Sequence, residues 1–170
     1  MNPAENIVPV IRLIPIARDG ATAEAVPDLP EVAAKACAST ASLYAKVGFE
    51  PPWIGYLALA GSEIVGTCAF PAAPANGRVE IAYFTFPSFE RRGFGTAMAS
   101  ALLALARAAE PEIVIFAQTL PQRNTSTAIL ERLGFKHAGE VDHAEEGRVW
   151  EWQLQPEDGR HVINRTGSRD

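Results

Sequence analysis

The sequence predicts an α/β domain built on a mixed sheet, and three observations carry that prediction. Strand-like and helix-like runs alternate from Ile11 to Leu154. WIGYLALA and EIVGTCAF are joined only by Gly61–Ser62, which marks an antiparallel hairpin. RVEIAYFTF, a turn, a long helical stretch and then EIVIFAQTL form a strand–turn–helix–strand crossover, which requires a parallel pair. The sheet is therefore expected to be antiparallel early, with a parallel pair flanking a helix over residues 94–109.

The elements follow in order. IRLIPI (Ile11–Ile16) reads as a strand and ARDGATAEAVP as a loop. Asp28 is the expected N-cap of a helix running to about Val47, with an apolar face at Val32, Ala36, Leu43 and Val47. Gly48 is a natural stop. Gly61 at the first central position suits a tight type II′ turn. PAAPANG (Pro71–Gly77) is a loop, and Arg78–Phe86 reads as one strand, rich in aromatic and β-branched residues. EIVIFAQTL is nearly continuous in apolar residues and reads as buried. A second helix is expected from about Asn124 to Leu133, ended by Gly134. FKHAGEV and GRVWEWQLQ form a terminal strand pair around DHAEEG. Trp150 and Trp152 then share one face, as packing residues. Trp53 starts a strand, closing a core edge or lining a pocket. Residues 1–155 read as one domain and 156–170 as a polar tail.

Bulk composition narrows the function. The chain has 170 residues, 48% of them hydrophobic, enough for one domain with a real core. Its net charge of −5 argues against nucleic-acid binding, which favours a basic excess. Cys37 and Cys68 fit no metal spacing, nor do His137, His143 and His161, so no metal is expected. The cysteines read as reduced, buried, small apolar side chains. Met1–Pro9 lacks the pattern of a signal peptide, and no apolar run reaches the ~18 residues that span a bilayer. A cytoplasmic protein without membrane contact is the expectation.

The informative stretch is FPSFERRGFGTAMASALLALA, Phe86–Ala106. It sets Arg91 and Arg92 at a turn containing Gly93 and Gly95, directly before a helix. A helix N-terminus offers unpaired N–H groups and a partial positive charge, and glycines let a phosphate approach the backbone. Arginine matches phosphate geometry. Ala97, Ala99 and Ala101 keep the first helical turns slim. There is no Gly-Lys-Ser/Thr of a P-loop, and Met98 stands where a dinucleotide fingerprint has its third glycine. A small phosphate-bearing ligand is indicated, with a solvated arginine turn as the bland alternative.

Arg92-x-x-Gly95-x-Ala97 resembles the pyrophosphate loop of the GNAT superfamily of acyl-CoA-dependent N-acetyltransferases. VEIAYFTFPSFERRGFGTAMA is similar to the strand–loop–helix segment of the branch that includes the ribosomal-protein N-terminal acetyltransferases. LPQRNTSTAILERLGF (Leu120–Phe135) resembles that branch's second signature. The likeness covers about residues 10–154. It implies a twisted, mostly antiparallel mixed sheet with splayed central strands and helices on both faces. It implies acetyl-CoA as cosubstrate, with Phe84, Thr85 and Phe86 along the pantetheine arm. Arg91, Arg92, Gly93, Phe94, Gly95 and Thr96 would hold the pyrophosphate, and Asn124 would lie beside the arm, as an N-cap, or both.

The implied reaction is direct attack of a primary amine, from a small molecule or a protein N-terminus, on the thioester. Glu80 is the candidate base; strand alternation sets it with Ala82, Phe84 and Phe86, opposite Ile81, Tyr83 and Thr85. Its alternative is a structural hydrogen bond. Many relatives carry a tyrosine where this chain has Leu130, so Ser126 is the candidate donor to the leaving sulfur, with helix capping as its other reading. Tyr83 reads as a core aromatic, and DHAEEG as a solvated turn or a greeting for a cationic acceptor. A homodimer through edge strands or the tail fits the pattern. The alternatives are a non-catalytic acyl-CoA-binding module of the same fold and a nucleotide-phosphate binder of another fold.

Overall fold

The computed structural model describes residues 7–156; the expected tail beyond Pro156 lies outside them. The elements are β1 (Arg12–Pro15), α1 (Glu31–Val47), β2 (Gly55–Ala60), β3 (Glu63–Ala69), β4 (Arg78–Glu80), β5 (Ala82–Thr85), α2 (Phe94–Ala109), β6 (Val114–Thr119), α3 (Thr125–Arg132), β7 (Lys136–His143) and β8 (Gly147–Leu154). A short 3₁₀ turn, Pro87–Phe89, sits between β5 and α2. The strands form two four-stranded sheets, β1-β2-β3-β5 and β4-β6-β8-β7. Every pairing is antiparallel except β4 with β6, the parallel pair that the crossover requires.

Arg78–Phe86 is not one strand, as its composition suggested, but two. Ile81 is buried and donates its N–H to the Phe116 carbonyl at 2.9 Å, so the chain is still tied to the second sheet there. From Ala82 onward it pairs with β3 instead, Ala69 opposite Ala82 and Gly66 opposite Thr85. The side-chain alternation passes through this break undisturbed. Val79 and Ile81 are buried, whereas Ala82 and Phe84 are exposed. One extended segment thus serves two sheets, which part on either side of it.

Helices cover both faces of the first sheet. Gly55 lies opposite Ala69 in the register, and a Cβ on it would meet Thr40 and Tyr44 of α1. Gly66 is of the opposite parity, and a Cβ there would meet Met98 of α2. Alternate residues of a strand face opposite ways, so α1 and α2 lie on opposite sides.

The α1 reading needs two corrections. The helix begins at Glu31 after Pro30 and has no side-chain cap; Asp28 lies outside it, at φ +54°. The buried stripe is Ala33, Cys37 and Tyr44, while Val32 and Val47 are 39% and 45% exposed. Tyr44 decides the rotation. Its buried hydroxyl donates to the Ile16 carbonyl (2.9 Å) and accepts from the Gly55 N–H (2.8 Å), tying the helix to the ends of β1 and β2. A buried hydroxyl with both bonds made outweighs two valines that water can cover.

The turn and stop assignments hold. Gly61 joins β2 to β3 at φ +61°. Gly48 ends α1 and donates its N–H to the Tyr44 carbonyl. Cys37 and Cys68 are buried and unpaired, and burial pushes the Cys68 thiol up to about 12. Among the described residues, no helix is long and apolar enough to cross a membrane.

Candidate active site

Where the two sheets part, the outer edge of β5 is left without a strand partner. Phe86 donates its N–H to the Val65 carbonyl at 2.9 Å. Hydrogen-bonded pairs alternate along an antiparallel ladder, so Phe84 opposite Thr67 is the next such pair. The backbone groups of Tyr83 and Thr85 therefore point away from β3, into the gap. Of the three residues expected along a pantetheine arm, Thr85 has the open N–H, while Phe86 uses its own inside the sheet. Tyr83 joins Thr85 at the edge. The sequence could not show this, because it depends on which partner β5 takes.

The gap leads to the N-terminus of α2. Gly93 is its N-cap at φ +83°, no side chain caps it, and Arg91 precedes it at φ +64°. The first N–H groups of α2 are thus without helical partners, next to two exposed arginines. Arg92 lies over the Phe89 ring, 5.6 Å from its centroid, and Phe89 packs edge-on to Phe94. Among the described residues, neither arginine enters an ion pair. Phe94 and Thr96 turn their side chains into the protein. Gly95 matters for space: a Cβ there would come within 2.9 Å of Ile129 Cδ1 on α3, with Thr85 Oγ1 3.6 Å away. Its hydrogen lets α2, α3 and β5 converge. A Cβ on Gly93 would come within 3.0 Å of Pro9 Cδ, so the N-terminal segment borders this loop.

Across the gap stands the first turn of α3. Asn124 is its N-cap: Oδ1 accepts from the Thr127 N–H (3.1 Å), and Thr127 Oγ1 accepts from the Asn124 N–H (2.9 Å). This reciprocal pair is a capping box. The capping partner is Thr127 and not Ser126, which is half-buried beside it. The Tyr83 hydroxyl donates to the Ser126 carbonyl over a long 3.4 Å. Burial pushes the Tyr83 phenol far above its usual range, so it remains a proton-bearing donor at neutral pH. Leu130 is 0% exposed, an ordinary core residue with nothing polar to offer.

Glu80 lies on the other side of this edge, by alternation on the face that carries α1. It is half-buried, and its carboxyl is pushed above the usual glutamate value. Burial is the main cause; His143 opposes the shift and Glu151 adds to it. Glu151 is itself paired with Arg78 at 2.5 Å, and Arg78 stacks over Phe116 at 4.3 Å. His143 Nδ1 accepts N–H bonds from Glu145 and Glu146, both 3.1 Å, which fixes the ring in the β7–β8 turn. A bulge between His137 and Gly139 strengthens the coiling of that hairpin. Glu80 and Ser126 thus flank the open edge from opposite faces, a carboxyl on one side and hydroxyls on the other.

The tryptophans fall elsewhere. Trp150 and Trp152 share a face with His137, and the Trp152 indole donates to Thr119 Oγ1 at 3.1 Å in the core. Trp53 packs edge-on to Phe70, 5.0 Å between centroids. A separate cavity of about 550 Å³, lined in part by Arg12, Glu24, Leu59, Ile64 and Phe89, touches none of these groups except the Phe89 ring beneath Arg92. Among the described residues, no group of three or more His, Cys, Asp or Glu is placed to hold a metal ion.

With this geometry in hand, comparison with known proteins is informative. The acetyltransferase (GNAT) domain family matches residues 12–136. The chain therefore belongs to the GNAT family, and its class is that of an acetyl-CoA-dependent N-acetyltransferase. Among solved structures, RimL, a ribosomal L7/L12 alpha-N-protein acetyltransferase, in its apo crystal form 2 aligns with a TM-score of 0.64. The identity is 20%, over 88% of this chain and 97% of that one. RimL in complex with coenzyme A aligns at 0.57 and 20% identity, over 74% and 72%. The microcin C7 self-immunity acetyltransferase MccE, in complex with acetyl-CoA and AMP, aligns at 0.58 and 15% identity, over 73% and 70%. At these identities the likeness is one of fold. No curated protein sequence matches the chain.

Proposed function

We propose that this chain moves the acetyl group of acetyl-CoA to a primary amine by direct attack. The observation that carries the reading is the open edge of β5 leading into the uncapped, arginine-flanked N-terminus of α2. The N–H groups of Gly93–Thr96, with Arg91 and Arg92, would hold the pyrophosphate. The Thr85 N–H would face the pantetheine arm or the thioester oxygen, where a fixed donor stabilises developing negative charge. Glu80, with its raised carboxyl, would take a proton from the incoming ammonium group, directly or through water. Ser126, with the Tyr83 hydroxyl beside it, would donate to the departing sulfur. The acceptor is a small amine or a protein N-terminus, the latter being the acceptor in the name of RimL. Two buried, unpaired cysteines fit a reducing, cytoplasmic setting.

Thermal unfolding with acetyl-CoA, against ADP as control, tests this reading. A ligand at a hundredfold its dissociation constant adds about 2.7 kcal/mol. The midpoint is expected to rise with acetyl-CoA well beyond the rise with ADP. Arg92→Ala is expected to weaken acetyl-CoA about tenfold or more, as loss of a charged hydrogen bond does. Unchanged affinity in that variant would remove Arg92 from the pyrophosphate site. The sealed Leu130 keeps a second reading alive, an acyl-CoA-binding module without turnover, which predicts the same midpoint shift and no thiol release with any amine.

A further inference from the structure

Phe84 is 53% exposed, and among the described residues it is the only phenylalanine, tyrosine or tryptophan left exposed. It is not on a loop. It stands inside β5, on the face that α1 covers only farther along, near Gly55. Its cross-strand neighbour is Thr67, and Ala82 lies opposite Ala69 on the same face. These small side chains make a shallow floor, and Phe86 holds the Phe84 ring edge-on at 6.0 Å. The exposed part of this ring is apolar surface that a ligand can remove from water. Four residues back along the same face is Glu80, roughly 13 Å away at the usual rise of a strand.

The charges on this face are few. Glu151 is neutralised by Arg78, which leaves Glu80 at the break as a carboxyl outside any ion pair among the described residues, with the His143 ring as its favourable neighbour. The Phe84 end has Thr67, Ala69, Ala82 and Phe86 around it, all uncharged. A polyamine would need an anion at each end. A single ammonium group with an apolar neighbour needs one anion and one apolar surface, as here.

We propose that the acceptor is a primary amine carrying a large apolar group next to the amino group, which packs on Phe84 while the nitrogen lies on the Glu80 side of the break. The proposal rests on the acetyltransferase reading and names the substrate class for that site. Two sources share this chemistry: a peptide whose first residue is large and apolar, and a small arylalkylamine.

The experiment is thiol release from acetyl-CoA with four acceptors: a phenylalanine-initiated tripeptide, phenylethylamine, a glycine-initiated tripeptide and spermidine. One or both apolar amines are expected to exceed the glycine peptide and spermidine at least tenfold in kcat/KM. The better of the two identifies the source. Phe84→Ala is expected to raise KM for that amine about tenfold, with Phe84→Leu in between and the acetyl-CoA midpoint shift unchanged in both. Equal or better turnover of spermidine or the glycine peptide would overturn the proposal. So would loss of acetyl-CoA affinity in Phe84→Ala, which would make the ring a wall of the cofactor gap. Stabilisation by acetyl-CoA without turnover of any amine would overturn it in favour of a binding module. Absence of stabilisation would instead sink the acetyltransferase reading beneath it.

Discussion

The two sheets share one extended segment but treat it differently. In the first sheet, Gly55–Ala58 of β2 and Ile64–Gly66 of β3 are buried without interruption, because helices lie on both faces. In the second, β6 alternates strictly between buried and half-buried positions. One face of that sheet holds Ile115, Ala117 and Trp152; the other carries Arg78, Glu80, Glu151 and Gln153. The first sheet is a rigid platform. The second is a platform with an open polar side. The candidate chemistry sits on the seam, where a half-open face adjoins the unpaired edge of β5.

That contrast is broken most severely at Gly66. A Cβ there would come within 2.5 Å of the Phe84 carbonyl oxygen and 2.9 Å of Met98 Cε. The methionine can move, but the backbone oxygen belongs to the β3–β5 ladder. Gly66→Val must therefore separate the strands or lift α2, and overpacking of this kind costs about 3 kcal/mol. The urea midpoint is expected to fall accordingly, and acetyl-CoA binding should fall with it, since β5 carries the gap. A variant as stable as the parent would mean that the first sheet is not the rigid partner.

Glu80 probes the open side and should cost activity, not stability. Loss of a positioned base lowers turnover by about 10²–10⁴-fold, and Glu80→Gln is expected to fall in that range with acetyl-CoA affinity retained. The parent's kcat/KM should rise with pH through a limb above the usual carboxylate range, a limb missing in the variant. The stability effect has the opposite sign. The carboxyl's folded-state pKa is raised, so its contribution is complete below the unfolded value, about 4.3, and is lost as pH rises through the folded one. Glutamine is neutral throughout. Glu80→Gln should therefore match the parent's melting point near pH 4 and exceed it at pH 8. An equal difference at both values would show that the carboxyl is not desolvated.

What could be read from residues alone follows the same division. The hairpin at Gly61, the stops at Gly48 and Gly134 and the parallel crossover are written in local turn chemistry and strand spacing. The helix start after the arginine–glycine turn was legible because Gly93 and Gly95 break the strand pattern just before a run of small, helix-forming residues. Glu80 was legible as a lone carboxylate in an apolar strand. The break at Ile81 was not, because side-chain alternation runs through it and no glycine or proline marks it. Which backbone groups of Tyr83–Phe86 face the gap depends on pairing with β3, a long-range fact. The α1 stripe was misread because hydropathy favours Val32 and Val47, while the helix is turned by two hydrogen bonds of one tyrosine. The family resemblance set Phe84 along the pantetheine arm; that its side chain is exposed on the α1 face is seen only once α1 and α2 are found on different sides.

The smallest expected effect lies on the far wall of the gap and separates two roles of one residue. Asn124 caps α3 through its side-chain oxygen, while its side-chain nitrogen takes no part in the capping box. Asn124→Ala removes an N-cap, which costs about 1 kcal/mol, and the melting point should drop by a few degrees. Aspartate caps about as well as asparagine, so Asn124→Asp should restore the melting point. It lacks the amide nitrogen, however. If that nitrogen also holds the pantetheine arm, Asn124→Asp should remain as stable as the parent yet bind acetyl-CoA several-fold more weakly. If capping is its whole role, the aspartate variant should match the parent in both measurements. The second wall of the gap would then act through the position of α3, which carries Ser126 on its first turn and takes the Tyr83 hydroxyl of β5 on the Ser126 carbonyl, and not through Asn124 itself.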